Sequence, residues 1–170
     1  MNELGKDAND ALKTILKKFK RYYNVTTKGV EPPFAAEAAF KSHSEQYFLV
    51  KAAKVADIDS NEFVFFYSDD EIPNQKQDDI AQIADTAWER GLSRITPYYG
   101  HRNTDITLIV LSQKIGDGAF EKIKKLKRYK SYKFGLYGWS SFRALAYESS
   151  TGRFATNRRG RGLKKIIGSI

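Results

Sequence analysis

Residues 124–139, KKLKRYKSYKFGLYGW, set Lys124, Lys125, Lys127, Arg128, Lys130 and Lys133 among the rings of Tyr129, Tyr132, Phe134, Tyr137 and Trp139. Cations that track phosphates, interleaved with rings that stack on bases or sugars, are what single-strand binding uses. A second run, TNRRGRGLKK, adds Arg158, Arg159, Arg161, Lys164 and Lys165, and its glycines flank Arg161 so that backbone amides can approach an anion. It lacks the ending and spacing of a P-loop. The expected phosphate-binding set is Lys124, Lys125, Lys127, Arg128, Lys130, Arg158, Arg159 and Arg161, with Tyr129 and Trp139 as stacking surfaces. A purely structural account competes with it. Lysines near a helix C-terminus complement the helix dipole, and Tyr132, Phe134 and Leu136 alternate as one strand face turned to the core. On that account the cations, more than the rings, remain for function.

Other chemistry is thinner. In YYGHR, residues 98–102, His101 is the better placed of two histidines for acid–base work. With Arg102 and Arg143 it forms an alternative pocket for a small anionic or phosphorylated substrate, although spacing fixes no second catalytic group. Whether the protein is an enzyme stays open. Asp69, Asp70 and Glu71 offer oxygens to a magnesium ion, but acids just before a helix more simply cap it, so no metal is expected. The stretch DIDSNEFVF supplies Asp57, Asp59 and Glu62, yet Val64 stands where a restriction-type nuclease needs lysine. Ser140 and Ser141 in GWSSF break the glycine pattern of a hydrolase nucleophile elbow. Arg143 beside Trp139 reads as a packed cation–π pair before it reads as a ligand clamp. No cofactor is expected.

The charge behind these residues is one-sided. Residues 121–170 hold fourteen Lys and Arg against Glu121 and Glu148, a net +12, while fifteen bases and eighteen acids give residues 1–120 a net −3, for +9 overall. Such a field concentrates polyanions, or docks on an acidic surface of the same chain or of a second copy in a homodimer. The chain has 170 residues, 41% of them hydrophobic, and no cysteine, which suits one folded domain of residues 1–170 and removes disulfides and thiolate metal sites. The N-terminus lacks the apolar stretch of a signal peptide, and no later run approaches a membrane span. A soluble, cytoplasmic protein with no membrane partner is expected.

Hydropathy periods predict the elements that must position the cations. Residues 7–23 read as an amphipathic helix with Ala8, Ala11, Leu12, Ile15, Leu16, Phe19, Tyr22 and Tyr23 at helical spacing. Gly29 and Pro32-Pro33 force an extended connection, with a short helical turn over 35–41. Strands are expected at 46–56 and 62–68 around the turn DIDSN, then a helix stopped by Gly91, then the core strand DITLIVLS. A helix capped by Asp117 leads to three strand candidates, YKFGLYG, SFRALAYE and GRFATN, and a short C-terminal helix. The fold class predicted is α+β, a single domain with a mixed or mainly antiparallel sheet of about five to six strands carrying helices.

The segments YFLVKAAK, NEFVFFYS, KSYKFGLYGWSSFRALAYE and TNRRGRG, over about residues 45–162, resemble a group of small uncharacterised prokaryotic proteins. The resemblance implies a compact prokaryotic domain and carries no functional residue. The leading expectation is therefore a non-enzymatic domain that binds nucleic acid or another polyanion through its basic C-terminal third, 121–170. An enzyme built on His101, Arg102 and Arg143, or a protein-interaction module, is the alternative.

Overall fold

In the computed structural model, which describes residues 7–40, 60–99, 101 and 103–168, the chain runs in order through eleven elements. These are α1 (Ala8–Phe19), β1 (Tyr23–Thr26), β2 (Ala36–Phe40), β3 (Ser60–Ile72), α2 (Gln77–Ser93), β4 (Asn103–Ile115), α3 (Asp117–Lys125), β5 (Tyr129–Ser131), β6 (Trp139–Glu148), β7 (Phe154–Thr156) and α4 (Lys164–Gly168). The expected strand at 46–56, with the DIDSN turn up to Asp59, lies outside the described residues.

The apolar run of DITLIVLS makes β4 the middle of an open mixed sheet of seven strands ordered β1-β2-β3-β4-β6-β5, with β7 also paired to β6. β3, β4 and β6 run parallel and the remaining pairings are antiparallel. The fold is α+β, with more strands than the five to six expected and a parallel centre. Parallel neighbours need crossovers, and α2 and α3 supply them on one face of the sheet. There they cover Phe65, Ile106, Leu108, Val110, Phe142 and Ala144. α1 and α4 lie over the other face, on Phe66, Ile109, Leu111, Leu145 and Tyr147.

Several local expectations change: Gly116, not Asp117, is the N-cap of α3, and Asp69, Asp70 and Glu71 lie within β3 and do not cap α2. Asp7 caps α1, accepting from the Asn9 N–H at 3.1 Å, and the helix ends at Phe19 rather than at 23. Tyr23 instead starts β1, because pairing of residues 23–26 with 37–40 overrides a helical period that the aromatic residues also satisfy. The Ala-rich stretch 36–40 is β2 and not a helical turn. Gly91 lies inside α2, where any Cβ would come within 2.7 Å of Ile106, so its small size sets the approach of helix to sheet.

Beyond β5 the edge of β6 is finished by a side chain. Asn157 is buried; its Oδ1 accepts from the Ala144 N–H at 2.9 Å and the Gly160 N–H at 2.8 Å, and its Nδ2 donates to the carbonyls of Leu126 and Phe142 at 3.0 Å each. Its own N–H donates to Ala144 O. Asn157 thus stands in for a strand between the β5 and β7 pairings, where bare edge groups would otherwise be exposed or unsatisfied. Gly160 passes so close that a Cβ would sit 2.5 Å from Ala144 O. Asn157→Ala removes four side-chain hydrogen bonds from a buried position and should cost about 3 kcal/mol, read as a lower urea midpoint, with Gly160→Ala destabilising in the same direction.

At the C-terminal ends of β4 and β6, Glu148 is buried and accepts from the Ile115 N–H at 2.6 Å, from Thr151 Oγ1 and from Arg153 Nε at 3.1 Å. Arg153 also donates to Ile115 O and Asp117. Burial pushes the Glu148 carboxyl up, but hydrogen bonds from Arg153, Thr151 and the Ile115 N–H outweigh it and hold the group below its ordinary value of 4.5. The stability this carboxylate contributes is complete above that ordinary value and is lost as pH falls through the lowered folded one. Glu148→Gln should lower the urea midpoint at neutral pH and flatten its decline in acid.

Candidate functional site

The Asn157 turn decides where the cations meet. By bonding Leu126 O and Phe142 O, it holds residues 157–160 against the chain leaving α3. A groove of about 580 Å³ opens at that junction, lined by Lys124, Lys125, Leu126, Lys127, Arg128, Phe142, Asn157, Arg158 and Arg159. A second hollow of about 410 Å³ shares Lys124 and Arg158 with it and adds Arg161 and Lys164. Neither is lined by a carboxylate. Seven of the eight expected phosphate-binding cations therefore border one surface, although the two runs are about thirty residues apart in sequence.

These cations are not equivalent. Arg128 is largely committed: its Nη2 lies 2.5 Å from Asp85 on α2, and its guanidinium stacks over Phe142 at 5.7 Å. Lys124 pairs with Glu121 one helical turn earlier, at 2.6 Å, and both groups are open to water. That hydrogen bond and the neighbouring charge hold the Glu121 carboxyl below its ordinary value. Among the described residues no carboxylate pairs with Lys125, Lys127, Arg158, Arg159 or Arg161. The C-terminal end of α3 adds its negative dipole pole close to Lys124 and Lys125, which offsets part of their mutual repulsion.

Arg159 carries the groove around the sheet edge, with its guanidinium 5.4 Å above the Tyr129 ring. Tyr129 pairs with Ser141 across β5 and β6, and Ser131 with Trp139, so Tyr129 and Trp139 are diagonal neighbours on one face of this ribbon. Both rings are open to solvent, at 53% and 38%. Lys130 faces the other way, with its ammonium 5.7 Å from the Tyr132 ring, and is the expected cation that the groove does not include.

YKFGLYG does not form the expected strand. Lys133 and Phe134 adopt left-handed φ values of 48° and 54°, Gly135 and Gly138 are also positive, and residues 132–138 close into a tight turn. Phe134 consequently leaves the core for which its alternation suited it and is fully exposed, and Leu136 is 68% exposed. The turn is held by Tyr132 N–H to Gly138 O, by Tyr132 and Ser140 hydroxyls 2.7 Å apart, and by His101 Nδ1, 2.9 Å from Tyr137 O. Gly135 and Gly138, three residues apart, are the sequence signal for this turn, and it loses to the stronger aromatic alternation.

His101 and Arg143 of the alternative pocket are not brought together. His101 is buried, with Nε2 2.8 Å from Thr104 Oγ1, so both ring nitrogens are engaged in holding the turn to β4. Arg143 lies on the sheet face opposite His101 and Thr104, where it meets Glu62 at 3.2 Å and Asp105 at 3.5 Å. Arg102 lies outside the described residues. Tyr23 and Thr107 donate to the same Glu62 at 2.6 and 2.9 Å, and Ser141 donates to Asp105 at 2.7 Å, so this polar patch on the sheet is internally satisfied. Burial, then the Glu62 charge, pushes the Tyr23 hydroxyl well above the usual tyrosine value. Sequence spacing gives no sign of the patch, because its members come from four strands. Among the described residues no group of three His, Cys, Asp or Glu side chains is placed to hold a metal ion, and no helix is long and apolar enough to cross a membrane.

A family model described as a domain of unknown function, DUF8052, matches residues 7–169. The chain belongs to this family. No curated protein and no solved structure matches it. The DUF8052 match spans both the acidic sheet-forming part and the basic end, so the groove lies wholly inside the domain. Because Arg128 pairs with Asp85 and stacks over Phe142, whereas no such contact is made by Lys125 or Arg158 among the described residues, Arg128→Ala should lower the stability of the DUF8052 domain by about 1 kcal/mol in urea titrations. Lys125→Ala and Arg158→Ala should stay within about 0.5 kcal/mol of the unmodified protein.

Proposed function

We propose that this DUF8052 domain is a soluble, cytoplasmic, non-enzymatic module that binds nucleic acid or another polyanion through the groove between the end of α3 and the Asn157 turn. The observation that carries the reading is the meeting of Lys125, Lys127, Arg158 and Arg159 around one hollow with no carboxylate in its lining. Lysines on an ordinary solvated helix face are normally interleaved with acids, whereas these cations stand together and unpaired among the described residues. Placing like charges together costs energy in the free protein, and a polyanion that neutralises them recovers it by releasing counterions. The resemblance to small prokaryotic proteins agrees with a compact domain.

Backbone electrostatics make a definite demand on salt. Four phosphate contacts on a single strand give a slope of about −3 for log affinity against log salt. Fluorescence anisotropy of a labelled oligonucleotide over a salt series should show that slope. The double variant Lys125→Glu, Arg159→Glu should bind at least about tenfold more weakly and show a shallower slope, while losing no more stability than the Arg159–Tyr129 contact contributes, about 0.5–1 kcal/mol. Salt-independent binding, or no binding to DNA or RNA at low salt, contradicts the reading.

A further inference from the structure

The groove does not end in bare charge, and its continuation indicates what kind of polyanion it suits. Arg159 belongs both to the groove and to the Tyr129 ring beneath it, and Trp139 lies diagonally next to Tyr129 on the same ribbon face. Two solvent-exposed rings side by side on one ribbon face, with a guanidinium over one of them, suit a platform for unpaired bases. A duplex hides the faces of its bases and would leave the Tyr129 and Trp139 rings without a stacking partner. Polyphosphate or a sulfated sugar would use the cations and leave the rings idle. At the far end of the ribbon, the strained turn holds Phe134 wholly in solvent, and left-handed non-glycine residues of this kind persist only where surrounding bonds enforce them.

We propose that the ligand of this surface is a single-stranded nucleic acid, its bases stacked on Tyr129 and Trp139 and its phosphates held by Arg159 and the groove lysines, with Phe134 bounding the platform. This rests on the polyanion reading above and adds a substrate class to it. The bases contribute through their π-faces, so binding is tolerant of sequence.

The test compares a labelled single strand of about twelve nucleotides, the matching duplex and a heparin oligosaccharide at one low salt concentration. The single strand should bind roughly tenfold or more tightly than the duplex, and Tyr129→Ala and Trp139→Ala should each weaken it about tenfold while leaving heparin binding unchanged. Tyr129→Phe, which keeps the ring, should restore the affinity. Equal affinity for single strand and duplex, or full single-strand binding by the Tyr129→Ala, Trp139→Ala double variant, overturns the inference; if Lys125→Glu, Arg159→Glu still weakens binding, the broader reading survives. No binding to any of the three probes ends both. Binding to anionic phosphatidylserine vesicles that Phe134→Ala abolishes, without binding to the single strand, would assign the surface to a membrane and also overturn the inference.

Discussion

A single buried amide organises the basic end of this molecule. Asn157 uses its acceptor and both donors on three separate pieces of chain: β6, the exit from α3 and its own turn. Backbone groups left buried without a partner cost a sizeable share of a domain's net stability, and the Asn157 side chain serves Ala144 N–H, Leu126 O and Phe142 O. Satisfying them through one side chain fixes the NRRGR loop beside the KKLKR helix end. The folding requirement and the charge constellation therefore have the same origin.

That arrangement also explains why the surface lies at a sheet edge. In open parallel sheets, ligands usually enter beyond the carboxyl ends of the strands. Here the ends of β4 and β6 are closed by Glu148, whose carboxylate takes the Ile115 N–H and the Arg153 guanidinium. Close to the opposite ends, Glu62, Arg143 and Asp105 answer one another. The β6 edge differs: its backbone is satisfied from within by Asn157, and the arginines and lysines around it keep their charge for solvent or for a ligand.

Much of the fold is legible in the sequence wherever one periodicity dominates. The helical stripe of Ile80, Ile83, Ala84 and Ala87, and the doubly covered strand around Ile106–Leu111, announce themselves, and both are found. β1 and β2 are not legible, since residues such as Glu37 and Ala38 carry no strand preference and take that form through pairing with β3. The cation set is legible from composition, and its meeting in space is not, because Asn157 looks like any turn residue until its partners are known. Phe134 shows the reverse failure, where a correct alternation is overruled by backbone geometry around Gly135 and Gly138.

The central claim is that residues far apart in sequence form one binding surface because the Asn157 turn brings them together. Mapping backbone amide shifts of the isotope-labelled domain during titration with a short single-stranded oligonucleotide tests it directly. The account predicts fast, saturable shifts grouped at residues 124–130, 139–141 and 157–161, with α1 and β1–β3 unmoved. Shifts scattered over the acidic part of the chain, confined to only one of the two basic runs, or missing altogether would contradict it.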